Sequence, residues 1–245
     1  MAPPPRGDAE ALTRDQALAH ASYVNLAAAG MLVVLVFLAL AYAPVLPAST
    51  LTIWLASLAS NFGGLVQMVG AACMMTAISP SAHMVALVQA STTLPIMLFS
   101  LASGAIADNF NRRTVMLAAQ LFMLSVSILL TLAAWYGLLT PWTLLTFTFL
   151  IGCGTALNNP SWQSSVGDIV QRSQLPAAVA LNSVGFNLTR SVGPAIGGLI
   201  VATAGGAAAF AVNAASYLAL IAVLLRWRPA ARDSPLPRET LGAAM

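Results

Sequence analysis

An all-α, polytopic membrane helical bundle is the fold class that this sequence predicts, and three observations predict it. Residues 16–107 contain no Asp, Glu, Lys or Arg. Charged residues make up only 7% of the 245 positions and hydrophobic ones 59%, whereas soluble domains carry about a quarter of their residues as charges. Apolar runs of about 20 residues recur along the chain, each long enough to cross a bilayer as a helix. A soluble domain of this length has too much surface to hide such a composition. A transmembrane β-barrel would need alternating segments of about ten residues, and these runs are continuously apolar.

The chain opens with a polar tail, residues 1–22, that includes Pro3-Pro4-Pro5. An extra apolar helix and its connector occupy 23–50, with the helix at 23–43. Six further runs follow at 54–78, 84–107, 114–138, 142–164, 177–204 and 207–225, within a unit spanning 51–228. Residues 229–245 are polar and rich in proline.

The first run has three readings. Its end, Ala41-Tyr42-Ala43, resembles a signal-peptidase site. The tail ahead of it is net negative, however, with Arg6 and Arg14 against Asp8, Glu10 and Asp15. Cleavage there would also start the mature chain outside and reverse every loop. An uncleaved helix with its tail outside is the reading adopted; a mistaken upstream start and a cleaved signal are the alternatives.

Loop charge sets the orientation. All ten basic residues are Arg. Arg112 and Arg113 lie between the runs at 84–107 and 114–138, Arg172 lies between those at 142–164 and 177–204, and Arg226, Arg228, Arg232 and Arg238 follow the last. The loops at 79–83, 137–141 and 205–206 carry no Asp, Glu or Arg. The positive-inside bias therefore places the Arg-bearing loops in the cytoplasm and the bare loops outside. Arginines spread beside spans are topology signals, so no nucleic-acid partner is expected; the lipid bilayer is.

The densest polar cluster is Gly104-Ala105-Ile106-Ala107-Asp108-Asn109-Phe110-Asn111-Arg112-Arg113. Gly104 allows close helix approach, and Asp108 accepts hydrogen bonds from Arg or from the exposed N–H groups of a helix start. A second cluster is Gly193-Pro194-Ala195-Ile196-Gly197-Gly198, with Gly185 about two turns earlier. Its glycines suit helix packing, and Pro194 frees a backbone carbonyl.

The first cluster resembles the loop signature after the second helix of the major facilitator superfamily, through Gly104, Asp108, Arg112 and Arg113. Asn109 and Asn111 stand where that pattern has a basic residue and a glycine. The second cluster is similar to the superfamily's Gly-Pro-x-x-Gly-Gly signature, associated with antiporters. Trp54-Leu55-Ala56-Ser57, Asn159-Pro160-Ser161-Trp162 and Leu175-Pro176-Ala177-Ala178 extend the likeness to the bacterial enterobactin-exporter-like branch. The resemblance implies the N-terminal six-helix half of a twelve-helix efflux transporter in the cell (inner) membrane, with 229–245 starting a cytoplasmic linker. It also implies small amphipathic substrates such as drugs or siderophores, protons as the coupling ion, and a cytoplasmic gate at Gly104, Asp108, Arg112 and Arg113. The missing C-terminal half, or a second half-transporter, is then an expected partner. A truncated or isolated half, inactive until paired, is the alternative. Thr148 stands where the fourth family helix often has an Arg tied to proton coupling, ahead of Gly152-Cys153-Gly154-Thr155-Ala156.

Arg190 is the one charged residue deep in an expected span, roughly 20 Å from Pro176 at 1.5 Å per residue. Such an Arg faces water or a partner by default. Two readings stand: a cavity-lining or gating Arg, or a structural one tied to carbonyls. Helical spacing puts Ser183, Asn187, Arg190, Gly193 and Gly197 on one face. Asn61 and Gln67 are candidate cavity amides, although Gln67 aligns with Gly63, Gly64 and Gly70 in a packing stripe. Gln89 and Ser91-Thr92-Thr93 are expected to bond neighbouring helices. Phe186 and Trp162 are candidate pocket aromatics, and Trp142 an interfacial anchor. No HExxH, GxSxG or CxxC occurs, so neither catalysis, cofactor nor metal is expected. Cys73 and Cys153 read as small packing residues.

This topology makes a direct prediction. In a background with Cys73 and Cys153 replaced by Ala, a single cysteine at His83 or Leu138 is labelled by an impermeant maleimide in intact cells. A cysteine at Arg172 is labelled only after lysis, and the reverse pattern would invert the bundle.

Overall fold

The computed structural model describes residues 44, 46 and 48–227. The tail at 1–22, the extra helix at 23–43 and the segment 229–245 lie outside the described residues. Helix α1 is Ala48–Ile78, α2 Ala82–Asn109, α3 Arg112–Trp135 and α4 Pro141–Ile169. A 3-10 turn at Arg172–Gln174 leads into the helical run Leu175–Arg226. That run breaks at Gly205, whose φ of 81° and ψ of 170° are not helical, giving α5 (175–204) and α6 (206–226). All six expected runs are thus helices. The largest boundary difference is at α1, which begins at Ala48 rather than 54.

Local chemistry ends and restarts each helix. Asn111 is the N-cap of α3, its side chain accepting from the Arg113 amide at 3.0 Å. Thr140 caps α4 in a reciprocal box with Thr143, and Pro141 follows at the first helical position. Gly137 has φ 68° in the turn between them, a left-handed conformation that side chains disfavour.

Four described segments are long and apolar enough to cross a membrane: Ala48–Ile78, Ala82–Phe99, Arg112–Trp135 and Arg172–Arg226, the last containing both α5 and α6. α4 is long enough at 29 residues but is not among them. Its Thr148, Thr155, Asn158 and Asn159 lower its hydropathy, and all four line the cavity described below.

α1 packs mainly on α5 and α6, α2 on α4, and α3 on both α4 and α6. Two separate faces of α1 make the closest approaches. A Cβ on Gly63 would meet Ser216 Oγ at 2.1 Å, and one on Gly70 would meet Ala209 Cβ at 2.7 Å, both on α6. On the other face, Cβ atoms at Gly193 and Gly197 would fall 3.0–3.1 Å from Leu65 and Val66, while one at Gly185 would fall 2.7 Å from Leu58. Lipid offers apolar helices no hydrophobic reason to associate, so such small-residue contacts are where dispersion holds them together. The Gly152-Cys153-Gly154 step works in two directions: Gly152 approaches the Thr92 carbonyl and Pro95 of α2, and Gly154 approaches Met123 of α3.

Apolar side chains form three buried clusters between the helices. Met75, Leu130, Leu144, Phe210 and Ile221 belong to one buried cluster. Toward the Arg-bearing end, Trp54, Leu58, Val170 and Leu181 form a second, and Met116, Leu220 and Leu224 belong to a third.

Gly70→Val is expected to destabilise the bundle by about 1–3 kcal/mol through overpacking. Thermal unfolding in detergent measures it. Gly198→Val, where an added Cβ meets nothing within 4 Å, serves as control and leaves the midpoint near wild type. Equal midpoints would mean that the α1–α6 approach does not hold the bundle.

Candidate functional site

A cavity of about 650 Å³ takes lining from all six helices, with Val88, Met123 and Ile151 of the first apolar cluster in its wall. α1 contributes Asn61 and Gln67, α2 Gln89, Thr92 and Thr93, and α3 Gln120. From α4 come Thr148, Thr155, Asn158 and Asn159, from α5 Phe186, Arg190 and Pro194, and from α6 Tyr217. The lining includes no Asp or Glu, and Arg190 carries its one formal charge.

Arg190 is exposed into this space. Its guanidinium carbon sits 5.7 Å from the centroid of the Phe186 ring one turn earlier, within cation–π range. No carbonyl or carboxylate among the described residues accepts a hydrogen bond from it, which favours the cavity reading over a structural tie. Pro194 has no N–H, so the Arg190 carbonyl lacks its usual helical donor. The cavity stripe of α5 is therefore Phe186, Arg190 and Pro194. This corrects the single-face expectation: Gly185, Gly193 and Gly197 belong to the face packed on α1. Asn187 is exposed away from the cavity lining, its Nδ2 donating to the Ser183 carbonyl at 2.8 Å.

Gln67 sits at the centre of a buried polar node. Its Oε1 accepts from Ser127 Oγ of α3 at 3.1 Å and from Asn213 Nδ2 of α6. Asn213 Nδ2 also donates to Tyr217 Oη at 3.0 Å. Ser127 and Asn213 are fully buried and Gln67 is 5% exposed, so each polar atom must be matched from within the protein. Gln67 is first a structural residue, in the stripe with Gly63 and Gly70; Gly64 leaves that stripe, since a Cβ there meets nothing within 4 Å. Asn61 spends its Nδ2 on the Ser57 carbonyl of its own helix at 2.9 Å and lines the cavity with what remains.

Further polar lining lies in the other helices. Gln120 Nε2 donates to Asn158 Oδ1 at 3.2 Å, while Gln120 Oε1 is buried with no partner. Ser91 and Thr148 share a hydrogen bond of 2.6 Å between α2 and α4, and Thr148 also donates to carbonyls of its own helix. Thr148 therefore ties two helices together where an Arg was looked for. Of the aromatics, Phe186 lines the main cavity, Trp162 lines a small apolar one with Trp54 and Leu181, and Trp142 is exposed. Gln120, Asn158 and Tyr217 escaped the sequence reading. The available signal was an amide or phenol inside an apolar run, the same signal that marks Asn61, Gln67, Gln89 and Asn187.

At the Arg-bearing end, Arg113 donates from Nε to the Leu224 carbonyl and from Nη2 to the Leu225 carbonyl, both at 2.8 Å. These are terminal carbonyls of α6, where a helix dipole favours positive charge. Arg112 Nη1 donates to the Ser164 carbonyl of α4. Both arginines thus bind helices inside this bundle. Gly104 makes no close approach here: a Cβ there would meet nothing within 4 Å. The side chain of Asp108 is outside the described set.

Residues 39–245 match the sequence model of the transmembrane secretion effectors, the helix order and signatures having already indicated the major facilitator superfamily. The chain belongs to this family of major facilitator transporters. It is 27% identical over 152 residues to an uncharacterized MFS-type transporter, YfiS, of Bacillus subtilis, covering 62% of this chain and 34% of that protein. Similarity to the staphyloferrin A transporter of Staphylococcus aureus is 31% over 133 residues, or 54% and 33% of the two chains. The macrolide efflux protein A of Enterococcus faecalis is 26% identical over 107 residues, or 44% and 33%. The matched parts span about a third of the length of these relatives. The protein is a multi-pass membrane protein of this family.

Gln67→Ala is expected to lower stability by about 1 kcal/mol, in the range of interhelical hydrogen bonds in membranes. Thermal unfolding of the variant in detergent, beside Asn213→Ala and the double variant, measures this. Strictly additive losses would dismiss the node as a unit.

Proposed function

We propose that this chain is the N-terminal six-helix half of a secondary active exporter. It moves small amphipathic molecules, of the siderophore or macrolide kind, out across the cell (inner) membrane by alternating access. The observation that carries this reading is the cavity of about 650 Å³, lined from every helix and furnished with amides, hydroxyls and one Arg. A substrate site near the midplane, facing a second bundle that rocks against the first, is how such transporters are built. The relatives' printed names, a staphyloferrin A transporter and a macrolide efflux protein, support cargo of this size and character.

The coverage of about a third of each relative supports the need for a second half. A chain of this kind is inactive until a further bundle, from the same polypeptide or a partner, closes the open side of the cavity. The Arg-bearing end faces the cytoplasm by the positive-inside bias. There Asp108, Arg112 and Arg113 form the gate, with Arg112 and Arg113 holding α4 and α6 in place so that Asp108 can meet the second half. The proton gradient supplies the energy. Among the described residues the cavity lining holds Arg190 and no Asp, Glu or His, which supports a proton carrier in the second half.

The test is efflux from a pump-deficient bacterium. The full protein is expected to lower accumulation of a carboxylate siderophore several-fold, and a protonophore to restore it, whereas residues 1–245 alone give no efflux. Full activity from residues 1–245 would end the half-transporter reading. No efflux of erythromycin or of a carboxylate siderophore by the full protein would end the exporter reading.

A further inference from the structure

We infer that Arg190 and Phe186 form an anion-recognising subsite, and that the cargo of this cavity carries an organic carboxylate beside an apolar or aromatic group. The inference rests on the transport reading above and narrows its substrate class.

Four observations carry it. Arg190 is the one formal charge on the cavity, and its guanidinium has no hydrogen-bond acceptor among the described residues. The sequence has no Asp or Glu anywhere between Asp108 and Asp168 or between Asp168 and Asp233. Residues 16–107 lack both as well, so no span of this bundle supplies a counter-ion. A charge held at mid-depth in a membrane is costly unless water or a partner of opposite sign meets it. In the closed states of alternating access water leaves, and a bound anion then fills that role.

The geometry also selects the kind of anion. A guanidinium presents a planar fork of donors that matches a carboxylate with two parallel hydrogen bonds. The Phe186 ring lies within cation–π range of the guanidinium and offers an apolar surface beside it. Around this pair, Asn61, Gln89, Gln120, Asn158 and Asn159 supply neutral amides that bond hydroxyl or carbonyl groups of a ligand without competing for its charge.

The experiment uses the full protein in nanodiscs of phosphatidylcholine and three probes of one shape: 2-naphthoate, 2-naphthamide and 2-naphthylmethylammonium. Calorimetry is expected to give naphthoate an affinity at least about tenfold above the amide, with the ammonium weakest. Arg190→Gln removes the acid's advantage and leaves amide binding in place; Arg190→Lys, which keeps the charge but not the fork, retains part of it. The wild-type ranking decides the matter even if a variant fails to fold. Equal affinities, or a preference for the ammonium, would overturn the inference and assign Arg190 to a carboxylate of the second half. Loss of naphthoate binding when phosphatidylglycerol is added would assign the site to a lipid phosphate and overturn it for soluble cargo. Erythromycin efflux without acid preference would sink the anion site alone. Acid preference without efflux of any probe would sink the exporter reading alone.

Discussion

Within a bilayer, an apolar helix loses nothing by facing lipid, so the bundle depends on places where helices come closer than lipid can. α1 makes such contacts on two faces at once. Gly63 and Gly70 admit Ser216 and Ala209 of α6, while Gly185, Gly193 and Gly197 admit Leu58, Leu65 and Val66 of α1. α1 is therefore clamped between the two parts of the Leu175–Arg226 run, and the break at Gly205 is what lets one continuous run grip it from both sides. Dispersion at these approaches is individually small and collectively decisive. The Gln67–Asn213–Ser127 node adds direction to the same interface, since its hydrogen bonds form in only one register.

The polar atoms divide into those the protein consumes and those it leaves. Gln67 Oε1, Asn213 and Thr148 are committed to neighbouring helices. Arg112 and Arg113 are committed to backbone carbonyls at helix ends. Trp54 Nε1 and Gln120 Oε1 are unmatched but buried, whereas the guanidinium of Arg190 is left over and belongs to the cavity lining. In a medium where unmet polar groups are expensive, that remainder is the clearest mark of where a ligand belongs.

Most of the fold was legible because lipid imposes a one-dimensional rule. Span length, loop charge, and turn residues such as Gly137, Pro141 and Gly205 are local properties, and every helix was found within a few residues of its expected place. The start of α1 was misplaced because Ser49, Thr50 and Thr52 look like a loop, yet Thr50 is buried and donates to the Ile169 carbonyl at 3.4 Å. The site was legible only in part. Arg190 announced itself as a lone charge, but which face it shared could not be read from spacing alone. Stripes at three- and four-residue spacing overlap on a helix, so Gly193 and Asn187 looked like its companions until the positions of α1 and the cavity separated them. Gln120 and Asn158 meet only because α3 and α4 pack together, and nothing local to either residue signals that pairing.

The polarity of α4 has a consequence for how the protein is made. Thr148, Thr155, Asn158 and Asn159 give the cavity part of its hydrogen-bonding wall, and they also leave α4 less apolar than α1, α2 and α3. Partitioning of such a segment during synthesis gains from partners already in the bilayer. α2 and α3, both emerging earlier from the ribosome, are the helices that offer Ser91, Gln120, Pro95 and Met123 to it. The order of helices along the chain thus matches an order of insertion, in which the wall of the cavity enters the membrane against a surface prepared to receive it.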